Sequence, residues 1–187
     1  MVLVLLVTLF ALAYPPDSRL AVIRAAPEFK LIDSHEQPIG LRQFQGKAVL
    51  VAFFFTTCNG TCPATTARLA KIQEEVARHA GLKDRVQILS ITLDPERDTP
   101  EKLRGYSRLY DVDERNWAFV TGARDDIRRT LGDWQIWAKP AANGQLDHPS
   151  RVYLVDPKGR IREIYSLEFL RAPWVVEDIE LVLTEER

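Results

Sequence analysis

Cysteine is almost missing from this 187-residue chain, which has only Cys58 and Cys62, and histidine is scarcely commoner, with His35, His79 and His148. A closed structural zinc site takes four ligands, so two thiols without a third would have to recruit carboxylates, and structural zinc is disfavoured. An excess of either charge is also missing. The 25 basic and 26 acidic residues leave a net charge of −1 without a long block of one sign, which disfavours nucleic acid as a partner. Repeats and low-complexity segments are absent. The longest uncharged apolar run, residues 1–14, would cover about 21 Å as a helix at roughly 1.5 Å per residue, short of the roughly 30 Å hydrocarbon core. It ends in Ala11-Leu12-Ala13, a small-x-small pattern like a cleavage site, but it lacks a positive n-region. The expectation is a signal peptide or short membrane anchor over 1–14 and a linker over 15–26. One compact domain should follow over 27–187, exported to the periplasmic side of the cytoplasmic membrane, either anchored or soluble after cleavage. With 46% apolar residues the chain can bury one core of ordinary size.

What is present is concentrated. The two cysteines close an apolar run in Phe53-Phe54-Phe55-Thr56-Thr57-Cys58-Asn59-Gly60-Thr61-Cys62-Pro63. Ala48 to Phe55 is continuously apolar, as in a central strand covered on both faces. From Ala64 to His79, Leu69, Ile72 and Val76 recur at helical spacing, with Pro63 suited to the first helical position and Gly81 just past the end. Two thiols thus sit between a strand and a helix, where they can close a disulfide or hold a thiophilic metal.

Around this unit the chain alternates. Pro27 to Gly46 reads as a short hairpin turning through Gln37 to Gly40. Val86 to Leu93 reads as a second core strand, and Thr99-Pro100 starts a helix through Leu103, Tyr106 and Leu109. Asn116 to Val120 is a third strand, Asp125 to Leu131 a short helix, Trp134 to Ala138 a strand, and 139–149 a loop. Arg151 to Val155 and Arg160 to Tyr165 form a hairpin across Asp156-Pro157-Lys158-Gly159, and Trp174 to Leu183 a last helix. The four tryptophans, at 117, 134, 137 and 174, read as packing residues. The sum is a mixed α/β sheet.

Three stretches in this order, Phe54 to Pro63, Thr92 to Pro100 (Thr-Leu-Asp-Pro-Glu-Arg-Asp-Thr-Pro) and Asp147 to Gly159 (Asp-His-Pro-Ser-Arg-Val-Tyr-Leu-Val-Asp-Pro-Lys-Gly), resemble the Sco/SenC family over roughly Pro27 to Leu183. The resemblance implies a thioredoxin-like fold, a central mixed β-sheet flanked by helices with an N-terminal β-hairpin extension. It also implies an exported or membrane-anchored protein that binds copper and helps assemble the copper centre of cytochrome c oxidase; some members are credited with thiol-disulfide chemistry. The implied ligands are Cys58, Cys62 and His148, and Asp94 resembles an aspartate near the copper site. The implied partners are the copper-binding subunit of the oxidase, another copper chaperone, or an exported thiol reductant. Two positions depart from the family pattern: Asn59 stands where proline is common, and Pro149 where serine or threonine is usual.

The residues support this chemistry independently. Two thiolates and an imidazole are a soft set that satisfies three-coordinate Cu(I), with Cu(II) a second state to consider. The first turn of a helix offers unpaired N–H groups that favour thiolate, so both cysteines should be reactive. A disulfide between Cys58 and Cys62 closes a very small loop and would restrain the unfolded chain little, which argues against a purely stabilising bridge. His79 falls at the far end of the helix and His35 in the early hairpin. Asp94 is equally a turn residue before Pro95, and Asp98 reads as a cap or turn residue. The competing function is an exported thiol-disulfide oxidoreductase using the same cysteine pair. A peroxiredoxin is less suited, because the stretch ahead of Cys58 lacks the proline and threonine arrangement that usually frames a peroxidatic cysteine.

Overall fold

A computed structural model describes residues 20–185; the apolar run 1–14 and residues 15–19 lie outside the described residues. In chain order come β1 (Arg24–Ala25), β2 (Leu31–Asp33), β3 (Pro38–Ile39), β4 (Ala48–Phe54), α1 (Cys62–Arg78), β5 (Val86–Thr92), α2 (Pro100–Leu109), β6 (Trp117–Thr121) and α3 (Arg124–Asp133). There follow β7 (Lys139–Pro140), β8 (Leu146–Asp147), β9 (Val152–Val155), β10 (Arg160–Tyr165) and α4 (Ala172–Thr184). Eight strands form one mixed sheet in the order β1-β10-β9-β4-β5-β6-β2-β3, while β7 and β8 make a separate ribbon. Strands β4, β5 and β6 are parallel, and β9 runs antiparallel to β4 with Ala52 opposite Val152.

Every residue of β4 and β5 is buried, which explains the unbroken apolar run: neither face of a strand can be polar when both are covered. Successive side chains alternate faces. Phe53 meets Trp134 and Tyr153 on one side, and Phe54 meets Tyr106 and Phe119 on the other, with ring centroids 5.1–6.1 Å apart. Leu69, Ile72 and Val76 turn the inner face of α1 into this core.

Several details differ from the sequence reading. Trp134 to Ala138 is not a strand. Trp134 ends α3, and Gln135 takes a left-handed conformation (φ 57°) that lets the Ile136 N–H reach the Leu131 carbonyl; Trp134 and Ile136 are buried in a helix-ending turn. The expected loop 139–149 contains the β7–β8 ribbon, with Lys139 opposite Asp147. The early hairpin turns through residues 34–37, and Leu41–Phe44 is a 3-10 turn. Leu109 is 79% exposed, and Trp137 and Trp174 are also exposed, so only Trp117 and Trp134 are core. The end of the stretch read as a linker belongs to the domain: Leu20 is buried and β1 pairs with β10.

At the β9–β10 turn the buried Asp156 meets Arg160 and the equally buried Arg162, at 2.7 and 3.1 Å. Burial pushes the Asp156 carboxyl up, but hydrogen bonds from Arg160 and Arg162 outweigh it and hold the group below the usual carboxylate value. A depressed folded value means that its stabilisation is present above the ordinary pKa of 3.8 and is lost as pH falls through the folded one. Asp156→Asn is expected to cost about 1–3 kcal/mol in urea unfolding at neutral pH, because it removes the carboxylate charge shared by Arg160 and Arg162 while Arg162 keeps Glu185 and the Leu20 carbonyl. The deficit should shrink in acid, where the wild-type carboxylate is also neutral; a constant deficit would remove the ion pair as its cause.

Candidate metal centre

The parallel strand β4 ends at Phe54, and the chain then turns. The Cys58 N–H bonds the Phe55 carbonyl at 3.2 Å, and α1 begins at Cys62 itself. Cys62 is therefore the first helical residue rather than a residue just ahead of the helix; it is buried, while Cys58 is half-buried. Both thiols are free, and the Gly60 N–H donates to Cys58 Sγ at 3.4 Å.

His148 arrives from the other side of the sheet's centre. Because β9 runs antiparallel to β4 with Ala52 opposite Val152, the residues just ahead of β9 lie beside the residues just beyond β4. His148 Nε2 stands 3.6 Å from Cys62 Sγ, across 86 positions of sequence. The ligand atoms of Cys58, Cys62 and His148 all lie within 4.8 Å of one another. His148 Nδ1 is 3.1 Å from the Pro149 carbonyl, an oxygen that can only accept, so the proton sits on Nδ1 and the Nε2 lone pair faces the sulfurs. Burial pushes the imidazole below its ordinary pKa, which keeps it neutral, the form that ligates. The Phe55 ring meets the imidazole edge to face, with centroids 5.9 Å apart.

The thiols do not follow the sequence expectation in full. Burial, followed by a hydrogen bond that the Cys62 S–H gives to Cys58, drives the Cys62 thiol well above its ordinary value. Backbone hydrogen bonding at Phe55 and at Cys62 pulls the other way, and loses. Without a cation, Cys62 thus keeps its proton; desolvation outweighs the helix terminus.

Two residues the sequence reading did not assign to the site hold it in place. Asp98, read as a turn residue, is fully buried and accepts from the Thr56 N–H at 3.1 Å, from Thr56 Oγ1 at 2.5 Å and from Thr92 Oγ1 at 2.6 Å. It ties the ends of β4 and β5 together directly under the cysteine turn. Burial raises its carboxyl pKa against the pull of these hydrogen bonds. Gln145, in the ribbon loop ahead of His148, donates to the Thr57 carbonyl at 3.0 Å and accepts from the Asn59 N–H at 3.1 Å. That second bond uses the departure at position 59, since proline has no N–H to give. The hydroxyls of Thr56 and Thr92 at the ends of two apolar strands are the one signal that could have found Asp98; Gln145 had none.

The other candidates lie elsewhere. Asp94 engages Arg97, and its carbonyl accepts the N–H groups of Arg97 and Asp98, so it shapes the turn after β5, outside the three-ligand cluster. His35 pairs with Glu114 at 2.8 Å, and His79 Nδ1 bonds the Glu75 carbonyl.

The sequence profile of the family described as SCO1/SenC matches residues 19–184. The chain belongs to the SCO1/SenC family. It is 31% identical over 131 residues to a SCO1 protein homolog of Bacillus subtilis, covering 68% of this chain and 66% of that protein. It is similar to the crystal structure of a SCO1/SenC family lipoprotein from Bacillus anthracis (28% identity, TM-score 0.77, 85% of this chain and 95% of that one). It is also similar to BsSco, described as a member of the Sco family of cytochrome c oxidase assembly proteins with a disulfide switch (25% identity, TM-score 0.76, 87% and 96% covered). The fold of this Sco-family chain is thioredoxin-like, a mixed central sheet flanked by helices.

Asp98→Asn leaves one acceptor for three donors, and is expected to cost about 1–3 kcal/mol in urea unfolding. Gln145→Leu should leave stability nearly unchanged but raise the Cu(I) dissociation constant about tenfold, as loss of an outer partner of a metal site does. An unchanged constant in a competition titration would show that the ribbon does not position His148.

Proposed function

We propose that this Sco-family protein carries copper as its cargo, held by Cys58, Cys62 and His148, and hands it to the copper-binding subunit of cytochrome c oxidase or takes it from another copper chaperone. The observation behind the reading is the convergence of two sulfurs and an imidazole lone pair within 4.8 Å. Two thiolates and a neutral imidazole are a donor set for Cu(I) and incomplete for structural zinc. Each thiol gives up its proton as the metal arrives, and the buried Cys62 makes that the demanding step. His148 presents Nε2 without rearrangement because the Pro149 carbonyl already holds the Nδ1 proton. The match to a family profile with oxidase-assembly relatives supports the choice of recipient. The proposed place of action is the periplasmic side of the cytoplasmic membrane, with residues 1–14 as the anchoring segment; among the described residues no helix is long and apolar enough to cross a membrane.

Anaerobic titration of the reduced protein with Cu(I) against a competing chelator should give one ion per chain, and His148→Ala should weaken binding by at least about tenfold. Absence of stoichiometric uptake by the reduced wild type would overturn the reading.

A second reading, exchange with an exported disulfide protein, is favoured by the unequal exposure of the two free thiols. Cys58 is the accessible one and Cys62 the buried one. Cys58 thiolate would attack the partner disulfide and release one partner thiol, and Cys62 would resolve the mixed disulfide and release the other, leaving Cys58–Cys62 oxidised and the partner reduced by two electrons. Here His148→Ala would leave the exchange rate unchanged, whereas a loss of exchange in that variant would count against this reading.

A further inference from the structure

Phe169 and Trp174 are large apolar side chains left 54% and 45% exposed on a domain that buries most others of their kind. Their rings stack at 6.5 Å, and the Arg171 guanidinium lies over the indole at 4.6 Å. An aromatic ring with a polar rim and a neighbouring cation is the chemistry of a membrane–water interface. Val22 and Ile23, just ahead of β1 at the sheet edge, are about half exposed as well.

The position of the preceding chain decides what covers this face. Leu20, the first described residue, lines the same hollow as Phe169 and Trp174. Between it and the apolar run 1–14 stand only five residues, Pro15 to Arg19. Fully extended, that stretch reaches about 20 Å. If 1–14 is held in a bilayer, the hollow cannot be farther than that from the headgroups.

The sheet register then orients the site. Strands β4 and β10 both run antiparallel to β9, so they point the same way, and the connection from β10 to α4, which carries Phe169 and Arg171, leaves the sheet at the cysteine end. Arg68 of α1 reaches across to the Leu167 carbonyl in that connection.

We infer that the Phe169–Arg171–Trp174 face rests on the lipid headgroup layer and turns the Cys58, Cys62 and His148 end of the sheet toward the membrane surface. The inference rests on the proposed anchoring by residues 1–14, not on copper binding. Glu163, Glu177 and Asp178 line the same hollow, so the contact is apolar rather than an attraction to anionic lipid, and zwitterionic lipid suffices. Copper would then be exchanged with a partner at the bilayer surface.

The test uses the full chain reconstituted in phosphatidylcholine vesicles, with and without brominated acyl chains that quench nearby indoles. Trp117 and Trp134 are buried, and the other exposed tryptophan, Trp137, lies beside the β7–β8 ribbon with Lys139 over its ring. Trp174→Phe should abolish most of the quenching and Trp137→Phe should leave it intact, at both low and high salt. A protein that floats with the vesicles but whose quenching survives Trp174→Phe overturns the face while leaving the anchor standing. A protein that does not float with the vesicles overturns the anchor and this inference with it. Self-association without lipid that Phe169→Ser abolishes also overturns it, by making the face a contact between two copies.

Discussion

The pairing of β4 with β9 is the contact on which the site depends. Two cysteines at the end of a parallel strand can form a local pair by themselves, but the third ligand comes from 86 residues further on. Antiparallel register sets its place: with Ala52 against Val152, each step beyond the end of β4 is matched by a step back from the start of β9. Slipping that register by one residue would exchange the two buried faces of β9, take Tyr153 out of its place against Phe53 and Trp134, and move the imidazole away from the sulfurs. The ring packing of Phe53, Trp134 and Tyr153 is therefore a requirement of the site as well as of the core, because side chains of unequal shape make such a slip costly.

Desolvation governs the chemistry that this geometry permits. Burial favours the neutral imidazole, which suits a ligand, and favours the protonated Cys62 thiol, which does not. Cys62 and His148 are thus both neutral without a cation, and burying them costs the fold little. In the proposed copper carrier, a soft cation would take the place of the proton on Cys62. Of the two sulfurs, half-buried Cys58 is the one an incoming ion could reach first, with buried Cys62 behind it.

Much of the fold was legible because long periodic segments report burial directly. The runs at β4 and β5, the helical spacing of Leu69, Ile72 and Val76, and the Asp156 to Gly159 turn each have one physical solution. Trp134 to Ala138 was misread because an apolar cluster ending a helix has the same composition as a short strand, and the left-handed Gln135 leaves no mark in hydropathy. In the site, Cys58, Cys62 and His148 were legible through the motifs that carry them. Asp98 and Gln145 were not, because each acts only through partners far away in sequence: Thr56 lies 42 positions from Asp98, and Thr57 88 positions from Gln145.

Asn59 and Gln145 together show how a departure from a family pattern can be absorbed. A proline after the first cysteine would stiffen the turn by fixing its own φ and restricting the residue before it. Asparagine gives up that restraint and restores a backbone N–H, and Gln145 takes the N–H while bonding the carbonyl two residues earlier, at Thr57. The restraint has moved from the covalent ring of one residue to a side chain carried by the β7–β8 ribbon. Unlike proline, that side chain lies three residues ahead of His148, so the two halves of the ligand set are held to each other directly. A displacement of the ribbon would break both of these bonds to the cysteine turn, so one side chain couples the positions of the two halves of the ligand set.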